Sequence, residues 1–194
     1  MLRKKLRITI VTCFVFYVSG VFSGADTANK IDIKTIAAAG HVNGKEYQNS
    51  YFGVSVQLPE PNEHLILNGL VAENRAILLE AVNEKGDVQQ WHNFVIVAHS
   101  ADIPGLSSTA QFVRSLRHQL EGEGLQTMRA EIPVTIGGHE FIESDLKMDS
   151  KDKYYWKAVM LTQIKGYMFG FWMEAVNKEQ LDKATKLDGR VSFR

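Results

Sequence analysis

The sequence predicts an α+β fold, an α/β/α sandwich around a central, mainly antiparallel sheet. Three observations predict this class. Consecutive strand-like segments are joined too briefly for the crossovers that parallel strands need. The aromatic segments 154–164 and 167–176 are apolar on both alternating faces, so other elements must cover the sheet on both sides. Two amphipathic segments have helix-capping residues at their start: Ser108 begins segment 108–120, and Asn177 precedes segment 178–187.

Composition narrows the class of protein. The chain has 194 residues, 45% of them hydrophobic, with 22 basic residues, 22 acidic residues and one cysteine. This length fits one or two compact domains, and the composition excludes a disulfide scaffold, a collagen-like chain and a multi-pass membrane protein. A nucleic-acid binder needs an excess of Lys and Arg to neutralise phosphates, and the balanced charge does not supply one.

The N-terminal segment, residues 1–25, has the pattern of a secretory signal peptide: a basic start, an apolar run from Ile8 to Phe22 and small residues at its end. The run is shorter than the roughly 20 residues that a membrane-spanning helix needs. Cleavage would remove four of the 22 basic residues, no acidic residue and the only cysteine, Cys13. We therefore predict a bacterial periplasmic or secreted protein, with an uncleaved N-terminal anchor as the alternative.

The remainder divides into a leader and one domain. Residues 26–46 are Ala-, Lys- and Asp-rich with little periodicity, which predicts a flexible leader with one short helix around residues 33–39. Residues 47–194 are expected to form a single α+β sandwich domain. At its start, residues 51–58 alternate in polarity as a half-buried strand does, and Asn68-Gly69 indicates a turn.

The central part of the chain contains the most specific local signals. Residues 76–82 and 94–99 predict an antiparallel pair of strands. Ser108 caps the first predicted helix, with Gln111 completing a capping box. Gly137-Gly138 and Lys165-Gly166 each join two strand-like segments, which predicts two tight hairpins.

One group of reactive side chains stands out in the sequence. His139, Glu143 and Asp145 fall on one face of a predicted strand, where they would be available as metal ligands. The alternative, which we favour, is a solvated polar face beside the Gly-Gly turn. The sequence contains no nucleophile-elbow motif, dinucleotide loop or Walker sequence. We therefore predict no catalytic residue, no metal and no cofactor, and a protein that is not an enzyme.

The candidate partner-binding residues are Arg114, Arg117, His118, Tyr155, Trp156 and Trp172. The first three form a basic face of the first predicted helix, which suits an acidic partner or ligand. The three aromatic residues belong to the second hairpin and suit a protein-binding patch or an apolar ligand pocket. The alternatives are the solvated side of an amphipathic helix and the core packing of central strands.

The start of the predicted domain resembles the opening of PsbP-like domains. Residues 44–59 read GKEYQNSYFGVSVQLP, in which a Tyr and an Asn, a Tyr-Phe-Gly strand start and a Pro-terminated strand come in the family's order. The helix with Phe112 and Leu116, the Gly-Gly hairpin, the aromatic hairpin and the closing helix also fit the family's plan, so the resemblance spans residues 47–193. It implies the sandwich fold of the extrinsic photosystem II protein and of a nuclear-import cofactor that binds a small GTPase.

The resemblance also implies a binding or assembly role rather than catalysis, and it assigns no functional residue. We therefore predict an exported, non-catalytic binding or assembly-accessory protein with an unidentified protein partner. The alternative is a periplasmic carrier of a small apolar or lipid-like ligand held beneath the aromatic strands. Neither function involves nucleic acid or a membrane span after removal of the signal peptide.

Overall fold

The computed structural model describes residues 31–59, 64–83, 91–103, 105–151 and 153–194. The predicted signal peptide, residues 1–25, and the start of the leader lie outside the described residues. The helices in the described part are α1 (Ile33–Ala38), α2 (Thr109–Gly122) and α3 (Lys178–Ala184). The strands there are β1 (Gly40–Asn43), β2 (Glu46–Asn49), β3 (Val54–Gln57), β4 (His64–Val71), β5 (Arg75–Val82), β6 (Trp91–Ser100), β7 (Leu125–Ile136), β8 (His139–Ser150), β9 (Lys153–Ile164), β10 (Tyr167–Ala175) and β11 (Val191–Phe193).

The strands form two antiparallel sheets. The larger sheet has seven strands in the order β4-β5-β6-β10-β9-β8-β7, and the smaller has the order β1-β2-β3-β11. One face of the larger sheet, the core face, packs against α1, α3 and the smaller sheet in a single hydrophobic cluster. The other face, the α2 face, packs against α2 at strands β7, β8 and β9. Helices on both faces of an antiparallel sheet confirm the predicted α+β sandwich.

The core face is filled by aromatic side chains from the middle of the sheet. Phe94, Phe141, Phe169 and Phe171 are almost completely buried. The rings of Phe94 and Phe141 stack on either side of Phe171, each with a centroid distance of 5.8 Å. The prediction that the aromatic hairpin supplies central strands covered on both faces is therefore confirmed.

Helix α2 forms where its cap predicts it. The Ser108 hydroxyl accepts a hydrogen bond from the backbone N–H of Gln111 at 3.2 Å, which satisfies one of the unpaired donors of the first turn. The Gln111 side chain instead accepts from the Ser107 N–H at 2.7 Å, so the capping box is not reciprocal. The apolar side of α2 is buried against the sheet through Phe112, Val113, Leu116 and Leu120.

Both predicted hairpin turns are confirmed. Gly137 and Gly138 have φ angles of 57° and 82°, and Lys165 and Gly166 have φ angles of 50° and 81°. Two consecutive residues with positive φ give a turn whose twist matches that of the flanking strands. These turns set the register of β7 with β8 and of β9 with β10.

The folded region begins earlier than the sequence indicated. Residues 31–46 are not a flexible leader in the structure, since they form α1, β1 and the start of β2. The side chains of Ile33 and Ile36 are buried, and Asn49 Nδ2 donates to the Ile36 carbonyl at 2.9 Å. Burial of this short helix on the sheet supplies the stability that six residues cannot supply in isolation.

Two further local predictions need correction. The Asn68-Gly69 pair does not reverse the chain but forms a bulge inside β4, where the register to β5 shifts between Leu67 and Leu70. Helix α3 ends at Ala184 rather than at residue 187. The chain then forms β11, which pairs with β3 and was not predicted because a three-residue strand has too little periodicity to detect.

Candidate interaction surfaces

The predicted basic face of α2 is tied to strand β7 by ion pairs. Arg117 Nε donates to Glu131 at 2.7 Å and Arg117 Nη1 donates to Glu121 at 2.7 Å, and its side chain is only 13% exposed. The Thr127 hydroxyl also donates to Glu121 at 2.5 Å. Hydrogen bonds from Thr127 and from His118 lower the pKa of Glu121, so this carboxylate stays charged. Arg117 therefore fastens α2 to the sheet edge.

Arg114 and His118 face outward on the same helix. Their side chains are 56% and 61% exposed, and each has one carboxylate partner: Glu131 at 3.4 Å for Arg114 and Glu121 at 2.9 Å for His118. Exposed pairs of this kind contribute little to stability, so both side chains can exchange these partners for others. Of the three predicted basic residues, these two are the accessible ones.

The contrast between the two arginines gives a first prediction. Arg117→Ala should lower the free energy of unfolding by about 1–2 kcal/mol, because it removes two charge-assisted hydrogen bonds and leaves Glu131 without its closest partner. Arg114→Ala on the same helix is the control, and it should cost less than about 0.5 kcal/mol. Urea unfolding followed by circular dichroism measures both values. Equal effects of the two substitutions would contradict the anchoring role of Arg117.

The three predicted aromatic residues lie on opposite sides of the larger sheet. Tyr155 and Trp172 are half-buried and share the α2 face, where they flank an ion pair between Lys157 and Glu174 of 2.9 Å. Lys157 Nζ also lies 5.3 Å from the Trp172 ring centroid, a cation–π distance. Burial, with further contributions from Glu174 and Glu123, raises the pKa of Tyr155 to about 12.

Trp156 belongs to the core face. It is half-buried against the hydrophobic cluster, and Lys147 Nζ lies 5.9 Å from its ring centroid and 4.9 Å from that of Tyr154. Tyr154 itself is 53% exposed. The structure therefore places Tyr155 and Trp172 on one face of the larger sheet and Trp156 on the other.

The three side chains considered as metal ligands, His139, Glu143 and Asp145, do not form one metal-binding group. Glu143 and Asp145 are 4% and 0% exposed on the core face, so the expectation of a solvated polar face is wrong for these two residues. Arg129 Nη2 lies 2.5 Å from Glu143 and 2.9 Å from Asp145. His139 is exposed and packs on Phe193, with a centroid distance of 4.2 Å.

Opposite charges surround this acid pair. Lys178, at the start of α3, lies 3.5 Å from Asp145, so two cations from β7 and α3 meet two carboxyl groups of β8. Burial raises the pKa of Glu143 to about 7, and repulsion by Asp145 adds to this effect while Arg129 opposes it. In the part of the chain that the structure describes, no group of three His, Cys, Asp or Glu side chains is arranged to hold a metal.

Strand β4 presents a surface that the sequence prediction missed. It is an edge strand that pairs with β5, and its exposed apolar side chains are Leu65, Ile66, Leu67 and Leu70, each 40–45% exposed. Edge strands normally carry charges, and this one has no Lys, Arg, Asp or Glu from His64 to Ala72. The apolar runs on each side of Asn68-Gly69 were the available signal, and the turn interpretation of that pair concealed it.

The opposite edge of the same sheet, β7, is different. Its pairing with β8 has two register shifts, α2 packs on it, and Arg129 and Glu131 carry charges there. Bulges and charges of this kind keep an edge from pairing with another chain. Met128, 49% exposed, is its one large exposed apolar side chain among the described residues.

Comparison with solved structures identifies the fold. No protein family and no curated protein matches the sequence. The solution structure of cyanobacterial PsbP (CyanoP) from Synechocystis sp. PCC 6803 matches with a TM-score of 0.54 at 8% identity, over 88% of this chain and 98% of that one. This match confirms the PsbP-like fold that the sequence resemblance implied.

Two weaker similarities concern other solved structures. LpqN from Mycobacterium tuberculosis, described as involved in cell envelope biogenesis, is 14% identical with a TM-score of 0.41, over 69% of this chain and 85% of that one. A Mog1 mutant is 13% identical with a TM-score of 0.42, over 76% of this chain and 85% of that one.

Among the described residues, no helix is long and apolar enough to cross a membrane.

Proposed function

We propose that this chain, which has the PsbP-like fold, is an exported, non-catalytic binding or assembly-accessory protein that docks a protein partner on strand β4. The observation that carries the proposal is the group of four large apolar side chains exposed on an uncharged sheet edge. Exposed apolar groups of this kind mark interaction sites, because a soluble protein gains nothing by leaving them in water. Export is supported by the signal-peptide pattern of residues 1–25.

The proposal that the protein is non-catalytic is supported by the burial and ion pairing of its acidic side chains. The acid pair of Glu143 and Asp145 is buried and lies against Arg129 and Lys178, so it is not placed to meet a substrate. On the α2 face, Lys157 and Glu174 neutralise each other in the same way. A fold shared with one solved structure does not transfer a function, whereas the burial and pairing of these residues are properties of this chain itself.

Site-specific crosslinking tests the docking surface. A photoreactive amino acid placed at Leu67 should form a discrete crosslink to one envelope protein in the native host, whereas the same group at Met128, on the opposite sheet edge, should not. The crosslinked protein, once purified, should bind the chain, and Ile66→Lys should weaken that binding at least tenfold. Met128→Lys adds the same charge at an equally exposed apolar position and should leave binding unchanged. If the partner binds Ile66→Lys as well as the parent chain, the proposal is wrong.

A further inference from the structure

We infer that β4 recognises its partner by strand addition, in which an extended, uncharged and continuously apolar segment of the partner pairs along the outer edge of β4. This inference rests on the proposed function, because it specifies how the docking surface there would be used. It depends on three features of the edge: the direction of its side chains, its lack of charge and its length.

Side-chain direction determines what the segment must carry. The register with β5 places Leu65 and Leu67 on the core face, with Ala81 and Leu79 as their cross-strand neighbours. Ile66 points to the opposite face, since successive residues of a strand alternate. A strand that adds to β4 contributes side chains to both faces, so an apolar residue at every second position would cover only half of the exposed surface. The matching segment is apolar at consecutive positions, as fully buried strands are.

The charge pattern excludes the commonest alternatives. From His64 to Ala72 the edge has no ionised Lys, Arg, Asp or Glu to pair with a charged peptide, a nucleic acid or an anionic lipid surface. Burying an unpaired charge of the partner against this edge would be strongly unfavourable. The segment is therefore uncharged where it lies along β4.

The length of β4 favours a short segment of a partner, rather than a second copy of this chain, as the occupant of the edge. β4 has eight residues, and the bulge at Asn68-Gly69 divides them into two pairing stretches. A stable protein–protein interface uses about 20–30 residues on each side. Two copies joined only through β4 fall far below that size, whereas a single extended segment needs no more than the strand itself, as in other cases of strand addition.

A peptide that copies β5 is a suitable probe, because β5 is the strand that β4 already pairs with in the fold. The peptide has the sequence of Arg75–Val82 with Arg75→Thr and Glu80→Thr, so that it is uncharged like the inferred segment. It is labelled with fluorescein, titrated with the purified full chain and followed by fluorescence anisotropy. We expect saturable binding that weakens at least tenfold when two alternate residues of the peptide are replaced by proline, since proline cannot donate to a strand ladder. Ile66→Lys and Leu67→Lys should each weaken binding at least tenfold, and Met128→Lys should not.

Amide hydrogen exchange provides a readout of backbone pairing. The peptide should slow exchange within residues 64–67 and leave residues 125–128 of the other edge unchanged. Equal binding of the proline peptide, or no change in exchange at β4, overturns strand addition while leaving β4 as a docking site. A dimer in light scattering that Ile66→Lys converts to a monomer would identify a second copy as the occupant and overturn the inference. Peptide binding that appears only after residues 1–25 are removed would identify the chain's own N-terminal segment as the occupant, with the same consequence.

Discussion

Gly170→Ala is expected to destabilise the fold by roughly 3 kcal/mol or more, because the new methyl group has no space in the centre of the larger sheet. A Cβ atom at this position would lie 1.9 Å from the carbonyl oxygen of Met160 and 2.9 Å from Cα of Leu161. Both are backbone atoms of β9, and Gly170 pairs with Leu161 on one side and with Val97 of β6 on the other. The neighbouring strands cannot move aside without losing their hydrogen bonds.

The matched control for this prediction is Gly122→Ala. Gly122 is the last residue of α2, and apart from its chain neighbours and the nearby backbone of its own helix, no heavy atom lies within 4 Å of the position that its Cβ would take. Alanine there should leave stability unchanged or raise it by up to about 1 kcal/mol, since it restricts the unfolded chain and favours the helix. Urea unfolding of both variants measures the difference. A loss below about 1 kcal/mol for Gly170→Ala would show that β9 and β10 can separate without cost, contrary to their packing here.

Glu143→Gln is expected to remove a loss of stability that the parent chain shows as pH rises. Burial, with added repulsion from Asp145, raises the pKa of Glu143 to about 7 from its ordinary value of 4.5. Between these two pH values the folded chain retains a proton that the unfolded chain has released, so raising the pH favours unfolding. The contribution of this group is greatest below pH 4.5 and is lost as the pH rises through 7, by an amount on the order of 3 kcal/mol.

The pH dependence can be tested at Glu143 alone, because the substitution leaves the charged groups around it in place. Arg129 of β7, Asp145 of β8 and Lys178 of α3 are the charged side chains of the cluster, and Lys178 also pairs with Asp182 of its own helix. The cross-strand neighbours of Glu143 are Ile132 of β7 and Met160 of β9, and both are apolar. Glutamine has nearly the same shape as glutamic acid and does not ionise, so the substitution isolates the titration from the packing.

Unfolding free energies at pH 5, 6, 7 and 8 test the prediction. The difference between Glu143→Gln and the parent chain should shift in favour of the variant as pH increases over this range. Glu140→Gln, at an exposed position of the same strand, serves as the control and should follow the parent chain at every pH. Parallel curves for the parent and Glu143→Gln would mean that Glu143 is ionised throughout in the folded protein.

Short sequence signals predicted most of the fold because the helix caps and turns that they specify form within a few residues of the chain. Ser108 caps α2, and the Gly137-Gly138 and Lys165-Gly166 turns close their hairpins, as predicted. Asn68-Gly69 shows the limit of this reasoning. Asn68 does adopt a positive φ of 54°, but whether such a residue reverses the chain or bulges within a strand depends on what pairs beside it. That partner, β5, is identified only by the tertiary fold.

The candidate surfaces were less predictable for the same reason. Periodicity placed Glu143 and Asp145 on one strand face, but their burial depends on α3 and its Lys178, which come from a distant part of the chain. The basic face of α2 was visible in the sequence, whereas the pairing of Arg117 with Glu131 depends on how β7 runs beneath the helix. The six predicted partner-binding residues remain predictions, and the structure adds β4 as a surface of a different kind.

The unequal edges of the larger sheet also limit assembly. A chain or segment that joins β4 meets no equivalent acceptor at the far end, because β7 there is bulged, charged and held under α2. Within the larger sheet, growth by edge pairing therefore terminates after one addition, because head-to-tail stacking through this sheet would need β7 as the second edge. The protein can therefore expose the apolar edge strand β4 without polymerising through the larger sheet, because only one edge of that sheet is open to strand pairing.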